Sequence, residues 1–419
     1  MQESAAPSTP LGPVTPAERN PVIDTIRGFA LLGILLVNIA LFAHPMQRML
    51  FPIDPGSTVV DRIVDWCVRF FAEGKFYSLF SFLFGLGFGI QLLRSAERGT
   101  RLGPVYARRL GILFLIGLIH LFLVWAGDIL TFYAIAGSLL LVFRDVKPRT
   151  LLIWAAILVA IPLALNTLGT AAVVGGRMVK PSVTTMIDKS LAEQDSVFRA
   201  AEVQASEVYS GGSYGEVTAQ RARDAAWIIY GYIAVGPQML GMFLIGLYVA
   251  RRGVLSDLEN HTRFLHRVFL WGLILGVAGN GLYATLIQDL PRIEPSLMLL
   301  LAMTGYAFGT PALALAYAAG IALLFRHHSR ANWVRPFAAA GRIPLSNYLA
   351  QSIICTLVFY GYGLGFFGRT GRLAEMGFAF TLYALLAALS VWYTSRFRYG
   401  PLEWVWRRGT YGRSFRAGG

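Results

Sequence analysis

The chain has 419 residues, of which 55% are hydrophobic and only 14% are charged, whereas soluble domains carry roughly a quarter charged residues. Such a composition makes little water-facing surface, which excludes a soluble enzyme with a single membrane anchor. The net charge of +14 would suggest nucleic acid in a soluble protein. In membrane proteins, however, Lys and Arg collect in cytoplasmic loops, so we expect no nucleic-acid partner.

The first twenty residues are rich in Pro, Ala, Ser and Thr and lack the basic region and cleavage site of a signal peptide. We therefore predict a disordered cytoplasmic tail over residues 1–20. The first long apolar run begins only after Arg27, so the first helix can also act as an uncleaved signal anchor.

Apolar runs of about twenty residues predict about ten transmembrane helices in a single domain over residues 21–400. Short loops rich in Arg and Lys alternate with loops that have few, and the tail 401–419 is basic, so both termini are predicted to be cytoplasmic. The expected fold is therefore all-α and polytopic. The predicted spans are 26–43, 68–93, 106–125, 128–143, 150–168, 226–250, 267–288, 296–325, 338–362 and 374–395.

One connection, residues 169–225, is much longer than the others and mixes acidic with basic residues. The stretch from Met186 to Tyr209 has helical character and is broken at Ser210-Gly211-Gly212. Since long loops cross the membrane regardless of their charge, we expect an outer loop that carries an amphipathic helical lid.

The two cysteines, Cys67 and Cys355, lie far apart in apolar stretches, with no CxxC pattern and no His at ligand spacing. Neither a disulfide nor a metal site is implied.

Ionisable residues at membrane depth are costly and mark a functional cavity by default. The sharpest candidate is His120, near the end of the third predicted helix, because a turn at Gly127 can fold Asp128 back towards it. A carboxylate that orients an imidazole makes a general base. The alternative is that Asp128 caps the following helix and His120 bonds a neighbouring carbonyl.

Two further residues lie at the predicted outer ends of helices. Lys75 follows a Glu-Gly pair and precedes several hydroxyls, so it can bind a substrate anion; the alternative is a lysine that extends to the interface. His44, followed by Pro45, can be catalytic or merely interfacial.

Polar residues also mark the predicted inner side. Arg108, Arg109 and Arg342 can bind phosphates, although positive-inside placement explains them without a ligand. Asn347 and Gln351 are spaced i, i+4 and share one helix face, which suggests a polar, substrate-binding cavity or hydrogen bonds between helices.

Five segments of the chain, in order, resemble the YeiB-like membrane proteins that carry the DUF418 domain. The likeness covers nearly everything after residue 20, and it implies a multi-pass protein of the bacterial cytoplasmic membrane. The segments are DTIRGFALLGILLVNI (24–39), KFYSLFSFLFG (75–85), HLFLVWAGD (120–128), 341–360 and GPLEWVWR (400–407).

YeiB-like proteins in turn look like distant relatives of transmembrane acyltransferases, which include the acyltransferase-3 family and the lysosomal heparan glucosaminide N-acetyltransferase. Those enzymes move an acyl group from cytoplasmic acyl-coenzyme A to an acceptor on the outer side. Eleven positions after Arg27, where acyltransferase-3 members have His, this chain has Asn38. The pair Val37-Asn38 resembles one in the heparan acetyltransferase, whose active His lies further from the pair than His44 does here.

The resemblance implies an acyl-coenzyme A donor and a small-molecule or glycan acceptor, with membrane lipids and a second copy of the chain as further partners. His120 with Asp128 would be the base, Asn38 and Lys75 would stabilise the oxyanion, and His44 is a further catalytic candidate. The alternatives are an exporter of a small amphiphile and a non-catalytic scaffold. The residues expected to hold the coenzyme A phosphates are Arg27, Arg108, Arg109 and Arg342.

Overall fold

The computed structural model describes residues 12, 18–50, 57–288, 290, 294–328, 331–412 and 415. Over these residues every regular element is helical, and eight helical stretches are long and apolar enough to cross a membrane. Two further apolar helices, Leu130–Leu141 and Pro344–Phe359, are shorter. The chain is therefore an all-α, polytopic membrane protein, as the sequence predicts. Most of the predicted tail 1–20 lies outside the described residues.

The helices are named here in chain order, and short 3₁₀ turns at Met46–Leu50 and Leu139–Leu141 are left unnumbered. They are α1 (Pro21–Ala43), α2 (Val59–Phe71), α3 (Lys75–Glu97), α4 (Leu102–Ile119), α5 (Leu130–Ser138), α6 (Pro148–Val179), α7 (Pro181–Gly211), α8 (Tyr214–Arg251), α9 (Thr262–Gln288), α10 (Leu297–His328), α11 (Val334–Arg342), α12 (Pro344–Phe359), α13 (Arg372–Arg396) and α14 (Pro401–Tyr411).

Two predicted spans that are continuous in hydropathy are broken in the structure. The span 338–362 is two helices, because α11 ends at Arg342 and Pro344 occupies the first turn of α12, where its missing N–H costs nothing. The span predicted from residue 68 begins at Lys75, because Gly74 has a φ of 81°, a left-handed conformation that breaks α2 from α3.

The predicted outer loop 169–225 is largely helical. Helix α6 runs on to Val179, α7 follows at Pro181, and α8 begins at Tyr214 after a capping box formed by Ser213 and Glu216. The 38 residues of α8 span roughly 57 Å at 1.5 Å per residue, which exceeds a hydrocarbon core of about 30 Å. Helix α8 therefore projects beyond the bilayer, and we call residues 181–224 the lid.

Close packing at the centre of the bundle depends on glycine. Helices α3 and α8 cross where a Cβ on Gly85 would collide with the carbonyl of Phe243, and one on Gly246 with the carbonyl of Phe82. Small residues let the two backbones approach.

The bundle has two chemically different ends. The start of α1, the end of α3, the start of α4 and helix α14 meet at one of them, which we call the basic end. The lid covers the other, which we call the lid end. Residues 401–411 of the predicted basic tail form α14, which packs on α4 through a hydrogen bond from the indole N–H of Trp406 to the Arg109 carbonyl (2.8 Å).

Candidate functional site

His120 and Asp128 form a buried pair at the lid end of α4. His120 Nδ1 lies 2.9 Å from Asp128 Oδ1, and the two residues are 0% and 1% exposed. Because an ionised carboxylate can only accept, Nδ1 carries the proton of this hydrogen bond and Nε2 is left as the basic nitrogen. The other oxygen, Asp128 Oδ2, accepts from the amide (2.7 Å) and hydroxyl (2.5 Å) of Thr131. Asp128 thus orients His120 and also caps the first turn of α5.

His120 opens a π-helical turn, His120–Val124, that continues α4. The turn is closed by the amide of Trp125, which donates to the His120 carbonyl at 2.7 Å. Such single π turns occur frequently at functional sites. Here the wide turn carries the chain from α4 to Asp128 in a few residues, which is what lets two residues eight apart share a hydrogen bond.

Gly117 makes room for this return of the chain. A Cβ at this position would lie 2.6 Å from both the amide nitrogen and the hydroxyl of Thr131, and 3.1 Å from Asp128 Oδ2. Glycine in α4 therefore allows the start of α5 to lie directly against the helix that carries His120.

A cavity of about 280 Å³ enters the bundle from the basic end. Its mouth is lined by charged side chains and its interior by apolar and aromatic ones. The residues that matter here are Glu18, Arg19, Asp24, Arg27, Arg109, Arg342, Glu403 and Arg407 at the mouth, and Phe84, Leu113, Ile129, Leu130, Tyr133 and Tyr348 inside.

The acidic residues at the mouth are already occupied. Asp24 pairs with Arg27 at 3.0 Å, and Glu18 pairs with Arg94 and Arg98 at 3.0 and 3.2 Å. Glu403 accepts from the amides of the first turn of α12, 2.7 Å from the nitrogen of Leu345. Arg19, Arg109, Arg342 and Arg407 have no acidic partner within the described part of the chain, so the mouth holds unbalanced positive charge.

These unpaired cations are costly to bury. Burial, with the neighbouring positive charges of Arg109 and Arg19, lowers the pKa of the Arg407 guanidinium to about 10. Burial also lowers the pKa of Arg19. Arg109 is held 4.0 Å over the ring of Trp406, a cation–π contact that does not use its N–H donors. An anion in the mouth would relieve all of these charges at once.

Tyr348 separates the cavity from the buried pair. Its side chain lines the cavity, its ring centroid lies 5.1 Å from that of His120, and its hydroxyl donates to the Gly127 carbonyl at 3.4 Å. A single aromatic side chain therefore touches both the space open to the basic end and the candidate base.

The lid closes the other side of the pair. The buried Arg221 donates to the Leu123 carbonyl (2.9 Å), in the π turn, and to the hydroxyl of Tyr362 (2.8 Å). Three tyrosine rings surround its guanidinium at 5.3 to 5.6 Å. The start of α8 is thereby tied directly to the turn that carries His120.

The structure brings three of the predicted phosphate-binding residues to the cavity mouth, namely Arg27, Arg109 and Arg342. Arg108 is exposed on α4 and does not line the cavity. Asn347 and Gln351 also lie outside it. The Asn347 amide donates to the Ala340 carbonyl (3.1 Å) and the Ser390 hydroxyl (2.9 Å), so it joins α11, α12 and α13.

The remaining predicted residues lie apart from the cavity. Lys75 is 0% exposed, and its ammonium donates to the Arg69 carbonyl at 2.5 Å. His44 lies 2.8 Å from Glu375 and 3.1 Å from Arg48, in a polar network at the lid end. Asn38 is half-buried on α1, one turn before Phe42, whose ring stacks on Trp125.

Among the site residues that the sequence analysis did not single out are Arg19, Trp125, Tyr348 and Arg407. Trp125 lies between His120 and Asp128, so the motif itself could have pointed to it. Tyr348 lies between Asn347 and Gln351 in sequence but on the face that meets the cavity. Arg19 and Arg407 come from opposite ends of the chain, and only the fold brings them together.

Residues 249–413 match the family described as "Protein of unknown function (DUF418)". Along nearly its whole length the chain is similar to the "Uncharacterized protein YxaH" of Bacillus subtilis (strain 168), with 34% identity over 96% of each chain. The chain belongs to the DUF418 family. This confirms the membership that its five sequence segments predict.

Two other bacterial proteins are similar to this DUF418 protein over a comparable length. The "Uncharacterized protein YeiB" of Escherichia coli (strain K12) is 31% identical over 93% of this chain and 96% of its own. The "Uncharacterized 39.9 kDa protein in amylase 3'region" of Bacillus acidopullulyticus is 28% identical over 97% of each. The similarity to these relatives therefore extends over nearly the whole chain and not only over residues 249–413.

Proposed function

We propose that this protein is a transmembrane acyltransferase of the bacterial cytoplasmic membrane. It would take an acyl group from acyl-coenzyme A at the basic end and pass it to a small-molecule or glycan acceptor at the lid end. The observation that carries the proposal is the cavity, whose mouth is basic and whose inner end meets His120 through Tyr348.

The cavity suits the two halves of an acyl-coenzyme A donor. Unpaired guanidinium groups at the mouth match its phosphates, which Arg binds bidentately. Trp406 and Tyr411, also in the lining, offer aromatic faces for its adenine. The pantetheine arm and acyl group would occupy the apolar interior between Phe84, Ile129 and Leu130.

His120 would act as the general base. With its Nδ1–H held by Asp128, the free Nε2 would take the proton of an acceptor hydroxyl or amine as that group attacks the thioester carbonyl. It would then return the proton to the leaving thiolate. Because Tyr348 lies between the cavity and His120, its side chain must move for the thioester to reach the base.

Export of an anionic amphiphile is the second candidate, and one observation favours it. The Arg221 contacts tie the start of α8 to the π turn at the lid end, as a closed gate would in one state of an alternating-access protein. Under this alternative the cavity ligand would cross the membrane intact, whereas an acyltransferase retains coenzyme A on the donor side.

The first test is binding of acetyl-coenzyme A to the detergent-purified protein by calorimetry. Arg109→Gln is compared with Arg108→Gln, which removes the same charge from the next residue but outside the cavity. We expect saturable binding that Arg109→Gln weakens about tenfold or more, since a hydrogen bond to a charged group is lost, and that Arg108→Gln leaves intact. Equal losses of affinity in the two variants would mean that Arg109 acts only through the overall positive charge and makes no specific contact with the ligand.

The second test separates binding from chemistry. His120→Ala is expected to bind acetyl-coenzyme A like the wild type but to lose acyl transfer to acceptors in a membrane extract. Absence of coenzyme A thioester binding in the wild type would overturn the donor site and favour the exporter, for which uptake of an anionic amphiphile into proteoliposomes is the direct assay.

A further inference from the structure

Three polar side-chain atoms, on the π turn with its C-terminal cap and on α12, are buried and have no hydrogen-bond partner in the described part of the chain. They are Nε2 of His120, Nε1 of Trp125 and Nε2 of Gln351. Folded proteins pair nearly all of their buried polar atoms, and each exception calls for an explanation. Here the exceptions come from the π turn and its cap Trp125 and from α12, whose Tyr348 lines the cavity and packs on His120.

The orientation of Trp125 is fixed by its neighbours. Its ring stacks on Phe42 with centroids 4.0 Å apart and meets the His120 ring edge-on at 6.1 Å. The residue is 1% exposed. An indole nitrogen is a donor only, and this N–H has no acceptor among the residues that the structure describes.

Gln351 lies one helical turn beyond Tyr348 on α12, and residues three apart share a helix face. Since the ring of Tyr348 packs against His120, this face of α12 is directed towards the base. Gln351 is 2% exposed, and its unpaired amide nitrogen carries two N–H donors.

A basic nitrogen flanked by two unsatisfied donors is the arrangement that acyl transfer requires. We propose that Trp125 Nε1–H and the Gln351 amide form the oxyanion-binding site of the transfer reaction, facing Nε2 of His120. This inference rests on the proposed function. It adds Trp125, which neither the sequence pattern nor the family comparison assigns, and it gives Gln351 a specific role.

The reaction balances with these groups. The acceptor oxygen or nitrogen forms a bond to the thioester carbon, its proton passes to His120 Nε2, and the carbonyl electron pair moves to the oxygen held by the two donors. Collapse of this intermediate re-forms the carbonyl and breaks the C–S bond. The departing thiolate then takes the proton from the imidazolium.

Trp125→Phe tests the first donor, because phenylalanine keeps an aromatic ring against Phe42 and removes the indole N–H together with part of the ring. We expect kcat to fall about 10²-fold or more, as when an oxyanion donor is lost from other acyl-transfer enzymes, with KM for acetyl-coenzyme A within about twofold of wild type because the donor acts in the transition state. Trp271→Phe, an exposed tryptophan on α9, is the matched control and should be unchanged.

Gln351→Met tests the second donor with a side chain of similar length, and Gln351→Glu replaces the donor by a group that repels an oxyanion. We expect the loss in kcat to be larger for Gln351→Glu than for Gln351→Met, while calorimetric binding of acetyl-coenzyme A stays intact in both. If Gln351 had a purely structural role, whichever of the two variants disrupts packing more would have the lower melting temperature. That order would hold whatever the two variants did to kcat.

The outcomes separate the two proposals. If the wild type transfers acyl groups and both Trp125→Phe and Gln351→Met retain its kcat, the oxyanion site is wrong and the acyltransferase stands. If the wild type binds acetyl-coenzyme A but transfers to no acceptor, the proposed function itself fails, and the oxyanion site with it.

Discussion

Asp128 shows how one side chain can serve packing and chemistry together. Its two oxygens have different partners, His120 on one and Thr131 on the other. The functional and structural interpretations of the sequence motif are therefore compatible, and the cap on α5 is what holds the carboxylate still. Because the amide and hydroxyl of Thr131 already hold the carboxylate, Asp128 loses little further entropy when it orients the imidazole.

Glu403 is a second buried carboxylate, and it supports the cavity at its mouth. It accepts from the amides of Leu345 and Ser346 and from the Ser346 hydroxyl, so it caps α12 from α14. Burial raises the pKa of the Glu403 carboxyl above its usual range, and these hydrogen bonds oppose the shift only in part. The folded protein therefore holds the Glu403 proton more tightly than the unfolded chain does.

This pKa shift predicts a pH dependence of stability. The contribution of Glu403 is complete below its unfolded-state pKa, about 4.3, and is lost as pH rises through the higher folded-state pKa. Glu403→Gln removes the titration but keeps an acceptor, so wild type should lose stability relative to this variant as pH rises from that value. Unfolding by SDS, followed by circular dichroism across this range, measures the difference.

The control for Glu403 is Glu97→Gln, at an exposed glutamate that ends α3. Its difference from wild type should not vary over the same pH range. A Glu403→Gln profile parallel to that of wild type would mean that the carboxyl is ionised equally in both states.

At the scale of elements, the join between α4 and α5 is the tightest part of the site. Gly117→Ala would push a methyl group against Thr131 and the carboxylate of Asp128. We expect a loss of about 1–3 kcal/mol in unfolding free energy from overpacking, together with reduced acyl transfer because the pair is displaced.

Gly111 provides the matched control, since it lies in the same helix with open space around it. Gly111→Ala should be neutral or slightly stabilising, because alanine favours a helix more than glycine does. SDS unfolding and the transfer rate are measured for both variants. If both variants changed the stability and the transfer rate equally, α5 would not be held closely against α4 at Gly117.

Hydropathy located most of the helices because lipid burial leaves a long apolar run in the sequence. It located their breaks less well. Pro162, Pro237 and Pro311 lie inside continuous helices, whereas Pro344 begins one. Nothing local distinguishes these prolines, since neighbouring helices decide whether a freed carbonyl is satisfied.

The site was predictable where it is local and not where it depends on the fold. The eight-residue spacing of His120 and Asp128 is readable because one turn of chain joins them. In contrast, Asn347 has the pattern of a cavity residue but bonds Ser390 on α13, and the unpaired arginines of the mouth come from helices distant in sequence. The mouth is basic only because the fold brings these arginines together in one place.

For the whole molecule, the distribution of charge links the cavity to the bilayer. The mouth opens where Arg and Lys are concentrated, and the positive-inside rule predicts that this end faces the cytoplasm. Coenzyme A thioesters are cytoplasmic, so the proposed donor site requires the same orientation. The lid, polar along α7, would then lie in the outer compartment, where an acceptor would approach.

Cysteine labelling in intact cells tests this orientation. The two native cysteines, Cys67 and Cys355, are first replaced by Ser and Ala, and single cysteines are then placed at Glu193 in the lid or at Arg101 at the basic end, both exposed. An impermeant maleimide should label Glu193→Cys in intact cells and Arg101→Cys only after permeabilisation, because the bilayer shields the cytoplasmic face. The reverse pattern would place the cavity mouth outside the cell. A donor site for a cytoplasmic thioester would then be impossible, and export through the cavity would have to run in the opposite sense.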